Sequence, residues 1–271
     1  MFLPLFFLVT FFLFILGTIV GSFINVVIHR SIEGEQWIKG RSKCDHCGKV
    51  LPWYDMFPLL SYFVLQGKSR CCHKPLSISH PVVEFLTGIL FVWWYWSGTF
   101  FFQLAQAPFT VIQPLFWLLV GVLLVIIFFT DLWYQIIPDF AVFLLAGLTF
   151  LYRLALVFTG IMRFEDFMLT VLVAVVMVGF FWALWFFTKG NGMGFGDVKL
   201  VVPLTFLLGG PNSVVGIFLG FCLGAVVGLL LILLGKKKFG QHIPFGPFLI
   251  TGTLIALVLG DRIIQWYLGM L

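Results

Sequence analysis

The chain has 271 residues, of which 61% are hydrophobic and 10% charged, and its mean hydropathy is +1.11. No soluble domain of that length hides so much apolar surface, so soluble classes are excluded and an all-α polytopic membrane protein is expected. The formal net charge of +5 would suggest nucleic acid for a soluble protein; here it reads as a topology signal, with lipids rather than nucleic acid as the partner.

Apolar runs fall at roughly 2–27, 81–98, 111–130, 139–158, 167–188, 198–209, 213–235 and 245–260. A ninth run, 263–271, is too short to span and is placed at the interface. The first run has no basic residue before it and no small-residue cleavage pattern, so it reads as a retained helix rather than a signal peptide. This divides the chain into a first transmembrane helix, 1–27, a polar cytoplasmic insert, 28–80, and a transmembrane core, 81–271. The insert carries Arg30, Lys39, Arg41, Lys43, Lys49, Lys68, Arg70 and Lys74, which puts it inside and the N-terminus outside. Alternation then places the uncharged loop 99–110 outside, the turn after Asp131 inside, Arg163, Glu165 and Asp166 outside, and Lys189 to Lys199 inside. Only if the short run 198–209 crosses do Lys236, Lys237 and Lys238 also fall inside, so about eight membrane helices are expected, the sixth short, tilted or partly re-entrant.

Four of the five cysteines lie in the insert, as Cys44-Asp-His-Cys47 and Cys71-Cys72-His73; Cys222 sits in an apolar run as an inert packing residue. Paired thiolates separated by a loop fit a tetrahedral structural zinc site in a segment with little core of its own. Ser69 stands three residues before Cys72, so the second half is not a Cys-x-x-Cys. Cys44, Cys47 and Cys72 are the expected ligands and the fourth is Cys71 or His73; the set Cys44, Cys47, Cys71 and Cys72 is favoured, because three thiolates leave the site undercharged. Adjacent residues seldom aim both side chains at one ion, which counts against either choice of fourth ligand. Glu84, just inside the second helix, either pairs with a basic loop residue or lines a second site. Gly21, Ser22 and Asn25 read as helix packing with one asparagine hydrogen bond. Trp93, Trp94, Tyr95 and Trp96 read as an interfacial aromatic belt.

Two acidic segments end or open apolar runs, Asp131-Leu-Trp-Tyr-Gln-Ile-Ile-Pro-Asp139 and Gly194-Phe195-Gly196-Asp197. Carboxyl groups at membrane-helix ends are costly and mark functional sites by default. Gly194 and Gly196 are expected to turn the backbone tightly and bring Asp197 against a neighbouring helix. Asp131 and Asp197 together would form a dyad that shares one proton, one carboxylate activating water and one acid serving the carbonyl and the leaving amine. Asp139 follows Pro138 and reads as a helix cap with a secondary role in the site; Lys199 either biases Asp197 or faces headgroups. The glycine-rich stretch from Gly190 to Gly196 follows no strand and is not a nucleotide loop.

Taken together the chain resembles the bacterial type IV prepilin peptidase family, bifunctional leader peptidase/N-methyltransferases. The resemblance rests on Gly21 to Arg30, Arg41 to Cys47, Leu51 to Tyr62, Pro81 to Glu84, Asp131 to Asp139 and Gly194 to Leu200. It implies that Asp131 and Asp197 are the catalytic pair and that the substrates are prepilins and pseudopilins of pilus, type II secretion or competence systems. It places the site at the cytoplasmic face of the inner membrane. It also implies that S-adenosylmethionine methylates the new N-terminus, for which Glu84, Gly88 and the zinc segment are the candidates. In the family the position of Ser69 is a cysteine. Two rival readings are a proton-coupled transporter that uses the same aspartates as a relay and a non-enzymatic scaffold that docks through the zinc segment.

Overall fold

The computed structural model describes residues 2–37, 40–44, 46–98, 108–190, 192–238 and 241–269. Among these residues the regular structure is helical, with no strands and two isolated antiparallel bridges, Lys43 with Val50 and Lys68 with Pro75. Helix α1 spans Phe2–Glu33, followed by a 3-10 turn at Trp53–Met56, α2 at Leu60–Val64 and α3 at Ser79–Trp96. Then come α4 Phe109–Tyr134, α5 Asp139–Phe158, α6 Phe164–Phe187, α7 Phe195–Leu208, α8 Gly210–Leu233 and α9 Gly246–Leu268. Most of the loop expected outside at 99–110, together with Lys39 and Asp45, lies outside the described residues.

Six of these helices, α1, α4, α5, α6, α8 and α9, are long and apolar enough to cross a membrane. Helix α3 has 18 residues and α7 only 14, about 27 and 21 Å at 1.5 Å per residue. Residues 263–268 do not form a separate interfacial piece: they complete α9, because no glycine or proline interrupts the pattern after Gly260.

The chain divides into two compact units, residues 1–126 and 127–271, the boundary falling inside α4. In the first, α1 and α3 pack along each other at a crossing built from small residues. A Cβ at Gly17 would sit 2.8 Å from the Gly88 Cα, and one at Gly21 would sit 2.7 Å from the Glu84 Cα. Close backbone approach of that kind needs glycine at both positions of α1, which is the physical reason for the spacing of four between Gly17 and Gly21. Of the expected aromatic belt, Trp94 donates to the Pro114 carbonyl at 2.9 Å and Trp96 to the Thr10 hydroxyl at 3.2 Å, so the belt also ties helices together.

In the second unit α5 and α7 run parallel, joined near their starts by Lys199 with Asp139 and near their ends by Arg153 with the carbonyls of Phe206 and Leu207. Phe167, Ala174 and Phe206 form a core patch among α5, α6 and α7, with Leu154 and Val202 against it. Cys222, expected to pack inside, is exposed on α8 instead.

Candidate active site and cysteine cluster

Glu84, Asp131, Arg153 and Asp197 are the charged residues buried as whole residues among those described. A charge removed from water needs a partner or a function, so each is a place to look.

Asp131 lies in the last turn of α4, 5% exposed. The helix ends there because Gln135 takes a left-handed φ of 56° and its N–H returns to the Asp131 carbonyl at 2.9 Å. Pro138 then caps α5 in an extended conformation, so the segment from Asp131 to Asp139 is a short helix-to-helix turn. Asp131 Oδ2 accepts the Gly246 N–H at 2.8 Å, at the positive end of α9. A Cβ at position 246 would lie 2.7 Å from that oxygen, so only glycine allows the contact. The sequence reading did not single out Gly246; the Gly-Pro step that opens α9 was the available signal.

Asp197 sits in the first turn of α7, also 5% exposed, with Gly194 as the capping residue. The two carboxyl groups are near enough to interact electrostatically. Asp197 Oδ1 is buried and has no hydrogen-bond partner among the described residues. The flanking glycines act differently from expectation. Gly194 has an ordinary φ of −72°, and the left-handed residues are Lys189 at 51° and Gly190 at 78°. Gly196 does serve close approach, since a Cβ there would meet the Ile137 Cβ at 2.9 Å.

Two expectations are corrected. The Asp139 side chain does not cap α5; its Oδ1 accepts from Lys199 Nζ at 2.7 Å. Lys199 therefore sits on Asp139 and 5.2 Å over the Phe195 ring, not on Asp197. The Asp139 side chain is exposed and Lys199 half-buried, so the worth of the pair lies in registering α5 against α7 rather than in stability.

In the insert the two cysteine segments form matching turns. Cys44 N–H bonds to the Lys49 carbonyl and Ser69 N–H to the Lys74 carbonyl, both at 2.9 Å, and each turn closes through its isolated bridge. In this register Ser69 corresponds to Cys44 and Cys72 to Cys47, while Cys71 is an additional thiol. The four sulfur atoms nevertheless lie within 4.8 Å of one another. Cys44 and Cys72 are 3.8 Å apart, matching the ~3.8 Å edge of a tetrahedron with Zn–S of about 2.3 Å, while Cys47 and Cys71 are closer, at 3.1 Å. His73 is not part of the group, and its left-handed φ of 55° serves the turn instead. Ser69 is buried against Cys71 at 3.2 Å and Cys72 at 3.1 Å. Burial alone would push the Cys44 thiol up, but hydrogen bonds from Ser69, His46 and Cys47 bring it down to about 6. At Cys47 the Lys49 backbone favours the thiolate, yet the neighbouring Cys71 and Cys44 thiols push it up to about 11. The donor set fits a thiophilic divalent metal.

Glu84 Oε2 accepts the Leu59 N–H at 2.8 Å, and the same carboxyl group interacts with Ser22 and, electrostatically, with His80. Asn25 does make the expected bond, donating to the His80 carbonyl at 3.0 Å. Arg153 was missed by the sequence reading, although a lone arginine inside the run 139–158 is itself a signal.

Comparison with known proteins assigns the family. Residues 15–98 match the model of the bacterial peptidase A24 N-terminal domain, and residues 117–229 that of the type IV leader peptidase family. A protein of Legionella pneumophila named prepilin leader peptidase/N-methyltransferase is 32% identical, over 92% of this chain and 91% of its own length. Proteins of the same name in Aeromonas hydrophila and Bacillus subtilis are 32% and 28% identical, over 94% and 95% of this chain and 92% and 97% of their own lengths. No solved structure matches the chain. With two family models in chain order and relatives at this identity along nearly the whole length, the chain belongs to the type IV leader peptidase family.

Proposed function

We propose that this chain is a multi-pass aspartic endopeptidase of the bacterial inner membrane that removes the basic leader of type IV prepilins and pseudopilins. It then N-methylates the exposed N-terminus. The observation that carries the peptidase half is the pair of buried carboxyl groups, Asp131 and Asp197, brought together from the ends of two separate helices. Sharing one proton, the pair activates water with its ionised member and hydrogen-bonds the scissile carbonyl with the other, which afterwards protonates the leaving amine. Asp131 has one oxygen committed to Gly246, whereas the buried Asp197 Oδ1 has no hydrogen-bond partner among the described residues, so its capacity to accept is left for water or substrate. Gly194, Gly196 and the Asp139–Lys199 pair act in support by fixing the start of α7. The site lies at the cytoplasmic face, and the apolar helix of the substrate enters from the bilayer.

Cys44, Cys47, Cys71 and Cys72 would hold one structural zinc ion, which orders an insert short of apolar core. For the second activity S-adenosylmethionine supplies the methyl group, an N–C bond forming at the new amine as the S–C bond breaks and a proton leaves the nitrogen. The names of the relatives support this pairing of activities and give the transporter reading no support.

Incubating membranes with a prepilin tests the peptidase half. Asp131→Asn and Asp197→Asn should each slow leader removal by on the order of 10²–10⁴-fold, the usual worth of a positioned general acid or base. Normal processing by both variants would sink the assignment and leave the scaffold reading standing.

A further inference from the structure

The insert between α1 and α3 wears its apolar side outward. In α2, Leu60, Phe63 and Val64 stand at the i, i+3, i+4 spacing that gathers side chains on one helix face, and they are 66%, 71% and 68% exposed. Ser61, Tyr62 and Leu65, on the other face, line an inner cleft that Glu84 also lines. The 3-10 turn before α2 repeats the division. Asp55 and Met56 line the cleft, while Trp53, Tyr54 and Phe57 are exposed, with the Trp53 ring edge-on to the other two at 5.8 and 5.9 Å. A loop domain in water buries such side chains, and a contiguous exposed set of them marks a protein or membrane contact.

Helix register fixes the depth of this face. Helices α1 and α3 run antiparallel, since Asn25 bonds to the His80 carbonyl, Gly21 meets Glu84 and Gly17 meets Gly88. Glu84 is therefore level with Gly21, which lies six residues before Val27, the last residue of the first apolar run, or about 9 Å inside it at 1.5 Å per residue. Leu59 ties the insert to that level. With φ 60° and ψ −50° it centres a γ-turn, closed by Leu60 N–H to the Pro58 carbonyl at 2.6 Å, and its own N–H reaches Glu84 Oε2 at 2.8 Å. A conformation so rare for a non-glycine residue persists only where its surroundings hold it. Helix α2 thus starts within one side chain's reach of a point below the apolar end of α1. Phe85 and Leu86, beside Glu84, are exposed at that level too.

Charge selects the partner. Between residues 46 and 78 the sole acidic residue is Asp55, and Arg70 holds its carboxyl at 3.0 Å. Lys68 and Lys74, in the stretch from α2 to α3, are exposed. Tryptophan and tyrosine beside basic residues are the composition of a surface that sits among lipid headgroups.

We propose that Trp53, Tyr54, Phe57, Leu60, Phe63 and Val64 seat the insert in the interfacial layer of the membrane that α1 enters, with Lys68 and Lys74 against anionic headgroups. The polar insert is then a monotopic element as well as a loop, its outer face embedded to the depth of about 5–10 Å usual for such surfaces. The lipid interface is favoured over a protein partner because the face is held at the height of the bilayer's edge by the helix that carries it.

Benzoylphenylalanine in place of Trp53, Phe57 or Phe63, one at a time, tests this in the full-length protein reconstituted in nanodiscs of phosphatidylethanolamine with phosphatidylglycerol as the minor component. After irradiation, mass spectrometry should find lipid adducts at all three positions, as at a Phe85 reference. Lys49, an exposed residue outside the face, should give roughly tenfold less. Phosphatidylglycerol should exceed its share of the bilayer among the adducts by about twofold. Each variant should elute from gel filtration like the parent, so that a missing adduct is read on folded protein. Lipid adducts at Phe85 but at none of the three positions would overturn the proposal. Adducts joining two copies of the chain would overturn it in favour of a protein interface, and adducts in proportion to bilayer composition would remove the lysines' contact with anionic headgroups.

Discussion

Ser69 and Cys71 decide whether the insert holds a metal. In the matching turns Ser69 occupies the place of Cys44, and a hydroxyl is a far poorer zinc ligand than a thiolate. Cys71 stands one residue before Cys72, yet its sulfur comes within 3.1 Å of Cys47 and completes the group of four. Purified protein should therefore carry about one zinc per chain by elemental analysis. Cys71→Ser should lose it, His73→Ala should keep it, and Cys71→Ser combined with Ser69→Cys should regain it by restoring the symmetric position. Full occupancy in Cys71→Ser alone would show that three thiolates suffice and that Cys71 is not a ligand. At this scale the aspartates were legible because a carboxyl at the end of a membrane helix is too costly to be incidental. The partners were not. Gly246 is 115 residues from Asp131 and contributes only a backbone N–H; the Gly-Pro step marks a helix start but does not say which carboxyl it meets. Lys199 lies two residues from Asp197, but the helix turns its ammonium towards Asp139 instead.

Helix α7 carries Asp197 at its start and ends after only 14 residues. The end is made by Gly209, whose left-handed φ of 83° breaks the helix before α8 begins at Gly210. Carbonyls left open at such a break would be expensive away from water. Arg153 of α5 answers them, its Nε donating to Phe206 and its Nη2 to Leu207 at 3.3 Å, while Gly210 N–H finds the Thr170 hydroxyl at 3.2 Å. A buried guanidinium thus ends the helix that positions a proposed catalytic carboxyl. Arg153→Met should leave two carbonyls without their donor, at about 1–3 kcal/mol each. Hydrogen exchange by mass spectrometry should then speed up in peptides covering 200–212 and leave α9 unchanged. Equal exchange in the variant and the parent would remove Arg153 from this role. Most elements could be read from apolar run length alone, because bilayer thickness fixes what a spanning run must be, whereas counting the short α7 rested on the lysines that follow α8. Helix ends were harder to place. Helix α1 continues through His29, Arg30 and Glu33, since a polar face leaving the membrane remains a good helix.

Across the chain as a whole, the disputed point is whether α3 and α7 cross, giving eight spans rather than the six that length and composition alone support. The second unit contains an argument independent of charge. Helices α5 and α7 run parallel, so Asp139 and Asp197 open them at one end. The segment after α8 returns to that end: the His242 carbonyl accepts from Lys237 at 2.7 Å and from Gln135 at 3.5 Å, and Gly246 meets Asp131. Helix α8 thus brings the chain back to the end from which α7 departs, and Lys236, Lys237 and Lys238 share that end with the aspartates. On the positive-inside rule that end is expected to be the cytoplasmic face, as proposed above. At about 21 Å, α7 is shorter than a hydrocarbon core of about 30 Å, so if it crosses, its far end would stay below the opposite surface, where Arg153 and Thr170 would stand in for water as its partners. In a Cys222→Ser background, a membrane-impermeant maleimide added to intact spheroplasts should label Arg163→Cys and spare Lys237→Cys until the cells are lysed. Labelling of Lys237→Cys before lysis would mean that α7 turns back without crossing, and the eight-span arrangement would fall with it.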